Sequence, residues 1–274
     1  MTSLVPTTGT LKYNKRMTFT GFIGTVCMFP LRAIINTSVA LGIHPNTLTL
    51  IGVLINVAAA WALGKDMFLL AGVIMIVANI FDFIDGKVAH ITGKSSRFGA
   101  FWDSTLDRFS DIALFLGLTY LYADLRRTDY VMIASLAMMF SIMTSYARAR
   151  AESLIEKCKV GFMERPERIV LFMIGAFTDR MAAVLWVILI LAIATVANRI
   201  HYTYLVLESK PLPGRTGNPL SRFFWRAFFW TDDRGTVAYD LWVIAILAFI
   251  WLTPPDWLRD PTASGIGLWR FLGF

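Results

Sequence analysis

Residues 82–107 read Asp82-Phe-Ile-Asp85-Gly86-Lys-Val-Ala89-His90, then eight residues to Gly99, then Ala-Phe-Trp-Asp103-Ser-Thr-Leu-Asp107. Four acids crowd into this stretch, yet the 274-residue chain around them is 56% hydrophobic, with mean hydropathy +0.59. An ordinary soluble domain has an apolar share of about 45–50%. The composition therefore indicates an all-α, polytopic membrane bundle. A charge at bilayer depth costs at least about 2.5 kcal/mol, so acids retained there mark a functional site.

The spacing carries more than the composition. Asp82 and Asp85 are three apart, and Asp103 and Asp107 four apart, so each pair lies on one face of a helix. Between the pairs, Thr92-Gly93-Lys94-Ser95-Ser96 is a cluster of turn formers and reads as the bend of a helical hairpin. Folded back about Lys94 and Ser95, an antiparallel hairpin sets Asp82 beside Asp107 and Asp85 beside Asp103 or Ser104. Four carboxylates at one level repel, and either protons or cations relieve them. Hard oxygen ligands suit Mg2+ or Mn2+, and two such ions about 4 Å apart are a common device for displacement at phosphorus. Gly86, Ala89 and Gly99 have almost no side chain, which admits either a nucleotide or a closely packed helix. Asp111, one turn further on, reads as a structural acid.

Working outward, apolar stretches near 46–64, 67–90, 98–122, 130–152, 167–178, 181–200 and 237–253 are candidate spans. Pro45 and Asn46 signal the first helix start, with Asn46 or Thr47 as N-cap. Lys12, Lys15 and Arg16 precede an apolar run from Met17 to Phe29 that Gly21, Gly24, Pro30 and Arg32 interrupt, which favours an amphipathic interfacial helix over a secretion signal. With these spans, Lys12, Lys15, Arg16, Arg32, Lys87, Lys94, Arg97, Arg148, Arg150, Lys157, Lys159, Arg165, Arg168 and the loop from Arg199 to Arg234 share one side. Lys65, Arg126, Arg127, Arg180, Arg259 and Arg270 occupy the other. The positive-inside rule makes the crowded side cytoplasmic, in a protein of the cytoplasmic membrane whose acids open towards the cytoplasm. The net charge of +7 suits an anionic lipid surface. Cys27 and Cys158 and the scattered His44, His90 and His201 exclude a zinc site and a disulfide framework. No nucleic-acid motif or phosphate-binding glycine loop is present.

The stretch resembles the signature of the CDP-alcohol phosphotransferases, Asp-x2-Asp-Gly-x2-Ala-Arg-x8-Gly-x3-Asp-x3-Asp. Asp82, Asp85, Gly86, Ala89, Gly99, Asp103 and Asp107 match seven of its eight fixed positions; His90 stands where the family has Arg. A neutral imidazole lacks the permanent charge and fork of a guanidinium, so the donor contact at His90 is altered. The resemblance implies a six-span core with a juxtamembrane helix, and transfer of a phosphatidyl group from a CDP-linked lipid such as CDP-diacylglycerol to an alcohol with release of CMP. It implies that Asp82, Asp85 and Asp103 ligate the metals, that Asp107 helps hold them or deprotonates the attacking hydroxyl, and that Gly86, Ala89, His90 and Gly99 meet the donor nucleotide. On this reading the chain divides into 1–45, a tail and interfacial helix; 46–207, the membrane core; and 208–274, an aromatic-basic segment with an extra span.

The acceptor must be read elsewhere. Ser145-Tyr-Ala-Arg148-Ala-Arg150-Ala-Glu152 and Gly161-Phe-Met-Glu164-Arg165-Pro166-Glu167-Arg168 place Arg148, Arg150, Arg165 and Arg168 at the cytoplasmic ends of two consecutive spans. Pro166 suits the first turn of a helix, whose N-terminus favours anions. Both runs look like the acceptor region of bacterial phosphatidylinositol-phosphate synthases, with Arg148 in place of their Lys. A phosphorylated alcohol is expected, inositol phosphate first and glycerol 3-phosphate as the alternative. Anchoring to lipid headgroups and pairing with Glu152, Glu164 and Glu167 is the competing role for these arginines. Beyond Ile200, the Phe223–Trp230 run suits an interfacial helix that covers the donor's acyl chains, mediates a homodimer or simply packs. Two other classes use intramembrane acids, but a prenyltransferase separates its acid motifs and a cation or proton transporter needs no acceptor pocket.

Overall fold

The computed structural model describes residues 31–210, 218 and 237–263. Within them the chain is helical, without strands: α1 (31–40), α2 (Pro45–Gly64), α3 (Phe68–Ile91), α4 (Arg97–Asp124), α5 (Thr128–Glu152), α6 (Arg165–Thr178), α7 (Met181–Leu207), α8 (Val237–Leu252) and a single turn α9 (Pro255–Leu258). Helices α2, α3, α5 and α7 are long and apolar enough to cross a membrane, and the chain is an integral membrane protein. Helix α4 has the length, but Asp103, Asp107, Arg108 and Asp111 lower its hydropathy, and α6 has only 14 residues. The expected helices at 17–29 and 223–230 lie outside the described residues.

Local chemistry sets the ends. Helix α2 starts at Pro45, and the imidazole of His44, rather than Asn46 or Thr47, is its cap, accepting from the Asn46 N–H at 3.2 Å. Proline at the first position lacks a donor that would have gone unpaired. At the bend, Gly93 takes φ +66° and Ser96 caps α4 by accepting from the Gly99 N–H at 2.9 Å. The turn therefore falls where the Thr92–Ser96 cluster places it. Helix α7 runs seven residues beyond the expected end at 200, which puts Arg199 inside a helix rather than in a loop.

The hairpin expectation fails in one respect. Helices α3 and α4 are not packed side by side; α2 packs against both and wedges them apart. The contact of α2 with α4 is tight because Gly117 admits the backbone of Ala60: a Cβ at Gly117 would lie 2.2 Å from the Ala60 carbonyl oxygen. Such close approach is the usual way helices associate where apolar burial gives no drive. Helix α5 packs on α4 and α7, and α6 bridges α3 and α7. Leu63, Met75, Phe115, Tyr122, Phe172 and Leu185 form the shared core, with Phe115 edge-on to Phe172 at 4.9 Å. Large apolar side chains such as Leu54, Trp61, Leu116 and Ile190 point outward, as a lipid-facing surface requires. Helix α8 leans on α7, and Tyr239 at its start meets Phe162.

Candidate active site

The four aspartates come from two helices, α3 and α4, joined by the bend. Oxygens of Asp82 and Asp85 on α3 and Asp103 on α4 all lie within 4.8 Å of one another. Asp85 is 6% exposed and its Oδ2 accepts from Thr49 Oγ1 of α2 at 2.5 Å. Thr49 is a site residue that sequence reasoning missed; a threonine in an apolar span carries no signal until its neighbour is known. All three donors are hard oxygens, and three carboxylates converging within this distance suit a divalent ion.

Asp107 is reached differently. Arg165, the first residue of α6, donates from Nη1 to Asp82 Oδ2 at 2.9 Å and forms ion pairs from Nη2 with Asp107 Oδ1 at 3.0 Å and from Nε with Asp111 Oδ1 at 3.8 Å. One guanidinium thus ties α3 to α4 across the gap that α2 opens. Pairing 82 with 107 at one level, as the bend predicted, is met through this arginine rather than by helix contact.

Two cavities flank the acids. The first, about 200 Å³, is bordered by Asp85, Gly86, Ala89, Lys94, Gly99 and Asp103. A Cβ at Gly86 would meet nothing within 4 Å, so this glycine leaves space for a ligand and does not seat a helix. His90 is exposed and does not line this cavity; Lys94 brings a cation to it instead. The second cavity, about 340 Å³, is bordered by Asp107, Arg108, Ser145, Arg148, Arg165 and Arg199.

The basic residues expected to form the acceptor pocket divide. Arg148 and Arg165 line the second cavity. Arg148 donates to Glu152 at 3.1 Å and to Glu164 at 2.8 Å. Arg150 is exposed, bonded to Ser153 Oγ, and does not line it. Arg168 is a correction: it is 2% exposed and buried behind the cavity, donating to Asp111 Oδ2 at 2.6 Å and Thr144 Oγ1 at 3.1 Å. Position 168, three after 165, shares its face of α6 as the spacing predicts, but lies one turn deeper in the bundle, so that both arginines reach Asp111 and only Arg165 reaches the cavity. Asp111 is the structural acid expected of it. Arg199 was not expected here, yet it borders the cavity, held by the carbonyls of Val160 at 3.0 Å and Thr144 at 2.5 Å and 3.5 Å from Glu164. Its signal was an arginine beside Asn198 at the end of an apolar span, where a charge needs a reason.

Comparison with known proteins agrees with this arrangement. The family model described as CDP-alcohol phosphatidyltransferase matches residues 42–207. An archaetidylinositol phosphate synthase of Pyrococcus horikoshii is 36% identical over 173 residues, covering 63% of this chain and 89% of that protein. A phosphatidylinositol phosphate synthase of Mycobacterium tuberculosis is 31% identical over 188 residues, 64% of this chain and 87% of that one. The crystal structure of the Mycobacterium tuberculosis synthase with CDP-DAG bound superposes with TM-score 0.60 and 27% identity, covering 64% of this chain and 93% of that one. The same synthase in complex with manganese and citrate gives TM-score 0.61 and 26% identity over 68% and 96%.

Proposed function

Since the chain belongs to the CDP-alcohol phosphatidyltransferase family, we propose that it moves a phosphatidyl-type group from a CDP-linked lipid to a hydroxyl of inositol phosphate and releases CMP. The observation that carries this reading is the pair of cavities flanking the aspartates, one bordered by Asp85, Asp103, small residues and Lys94, the other by Asp107, Arg148, Arg165 and Arg199. The core is read as six spans, α2 to α7, with its polar end at the cytoplasm and α8 as an extra span.

The first cavity takes the donor nucleotide, with Gly86, Ala89 and Gly99 leaving room for it and Lys94 facing its phosphates. The second takes the acceptor, whose phosphate faces Arg148, Arg165 and Arg199. Asp82, Asp85 and Asp103, with Asp107 at the margin, would hold divalent cations, two Mg2+ or Mn2+, which neutralise the pyrophosphate when bound. Asp107, bordering the acceptor cavity, accepts the hydroxyl proton as the oxygen attacks the lipid-side phosphorus. The new O–P bond forms as the bond to the CMP oxygen breaks, and CMP leaves with its electron pair. Names of the relatives support inositol phosphate as acceptor.

The test is CMP release by purified protein from CDP-diacylglycerol with Mg2+ or Mn2+, across inositol 1-phosphate, inositol, glycerol 3-phosphate and serine. Release with inositol 1-phosphate is expected; release with glycerol 3-phosphate alone would replace the acceptor and leave the reaction class standing. Asp107→Asn should lower kcat by about 10²–10⁴, and near-normal turnover would remove Asp107 as the base.

A further inference from the structure

Arg165 belongs to two places at once. Its side chain borders the acceptor cavity, while both its Nη atoms are spent on Asp82 and Asp107, carboxylates of the proposed cation site. A guanidinium and a divalent cation are rivals for such oxygens, because both are positive and the cation needs them at roughly 2.0–2.6 Å. The other two arginines of the cavity are not placed this way: Arg148 and Arg199 are balanced by Glu164, with Glu152 also on Arg148. Arg165 alone among the three bridges the acceptor cavity and the aspartates. It stands at the first position of α6 with its side chain 19% exposed, and its Nε, 3.8 Å from Asp111 Oδ1, makes no hydrogen bond, so that of its contacts with acids only the one to Asp82 is a hydrogen bond.

We propose that Arg165 is a two-position residue that couples acceptor binding to cation binding: without acceptor it neutralises Asp82 and Asp107, and an acceptor phosphate draws it away and frees those carboxylates for a divalent ion. The inference rests on the function proposed above and adds an order to it, in which the cation site is completed when the acceptor is in place. By linkage, acceptor and cation must then raise each other's affinity by the same factor.

The test reads Mn2+ binding to purified protein by the electron paramagnetic resonance signal of the free ion, with and without inositol 1-phosphate or glycerol 3-phosphate, and with no CDP-lipid present. In the wild type the phosphate monoester should tighten Mn2+ binding within the range of about 5- to 150-fold. In Arg165→Gln, Mn2+ should bind tightly without the monoester and the enhancement should vanish. Arg165→Lys, which keeps the charge but cannot fork across both carboxylates, should show a reduced enhancement and serves if the glutamine variant does not fold. An unchanged Mn2+ affinity on adding the monoester to wild type, or an enhancement that survives in Arg165→Gln, overturns the coupling while leaving the cation site intact. Equal Mn2+ affinity in wild type and in Asp85→Asn and Asp103→Asn overturns the cation site, and the coupling with it.

Discussion

At the scale of the residue, two arginines three positions apart on α6 do opposite jobs. Arg165 faces the aspartates and the acceptor cavity; Arg168 is sealed against Asp111 and Thr144. Removing one partner of a buried ion pair leaves an uncompensated charge and costs about 3–5 kcal/mol. Arg168→Ala should therefore lower the thermal midpoint sharply and reduce the yield of folded protein. Arg150→Ala, at an exposed side chain, should leave both the midpoint and the acceptor KM near wild type. A thermal melt in detergent together with acceptor KM values checks the contrast; an Arg150→Ala variant with a large rise in acceptor KM would return that residue to the pocket. The aspartates were legible from spacing alone, because residues three or four apart in one helix share a face whatever the rest of the chain does. Arg168, Arg199 and Thr49 were not, because their partners lie 57, 35 and 36 positions away.

At the scale of the element, α2 decides the site's shape. It carries Thr49 to Asp85, and by packing on both α3 and α4 it keeps them from closing on each other. The seat of this wedge is Gly117 against Ala60. Gly117→Ala brings a Cβ onto a backbone carbonyl that no side-chain rotation relieves, and overpacking of this kind costs about 1–3 kcal/mol. The expected result is a thermal midpoint lower by roughly 2–4 °C for each kcal/mol; an unchanged midpoint would mean that the two helices can separate freely. Helix limits at the bend were read from turn chemistry within a few residues, since Gly93 and Ser96 act locally, whereas the end of α7, seven residues beyond its expected place, was not. That α3 and α4 splay apart was not readable, because the helix responsible lies upstream of both.

At the scale of the whole molecule, the bundle has two unlike ends. One gathers the acids and arginines of the site; the other closes the loops, where Asp66 after α2, Asp179 between α6 and α7, and Asp260 after α9 influence one another. Asp179 is 7% exposed, takes φ 54°, and has an Oδ2 without a hydrogen-bond partner. Burial first, then the neighbouring Asp66 and Asp260, pushes its carboxyl up to about 6. Its native value thus lies above the unfolded value of about 3.9, so the folded state holds the proton more tightly. Stability should then fall as pH rises through that interval and stay low above pH 6. Asp179→Asn, which keeps a side chain tolerated at positive φ, should flatten this decline and raise the midpoint at pH 7.5, by roughly 2–4 °C for each kcal/mol regained. Melts between pH 4 and 8 decide it, and a parallel decline in wild type and variant would place the titration elsewhere. The sequence by itself determined what depends on near neighbours: apolar helices, their bends, and acids at spacings that share a face. Only the tertiary structure decided which arginine meets acid, which meets cavity and which meets core, because those partners are distant in the chain and chosen by how α2, α4, α6 and α7 pack.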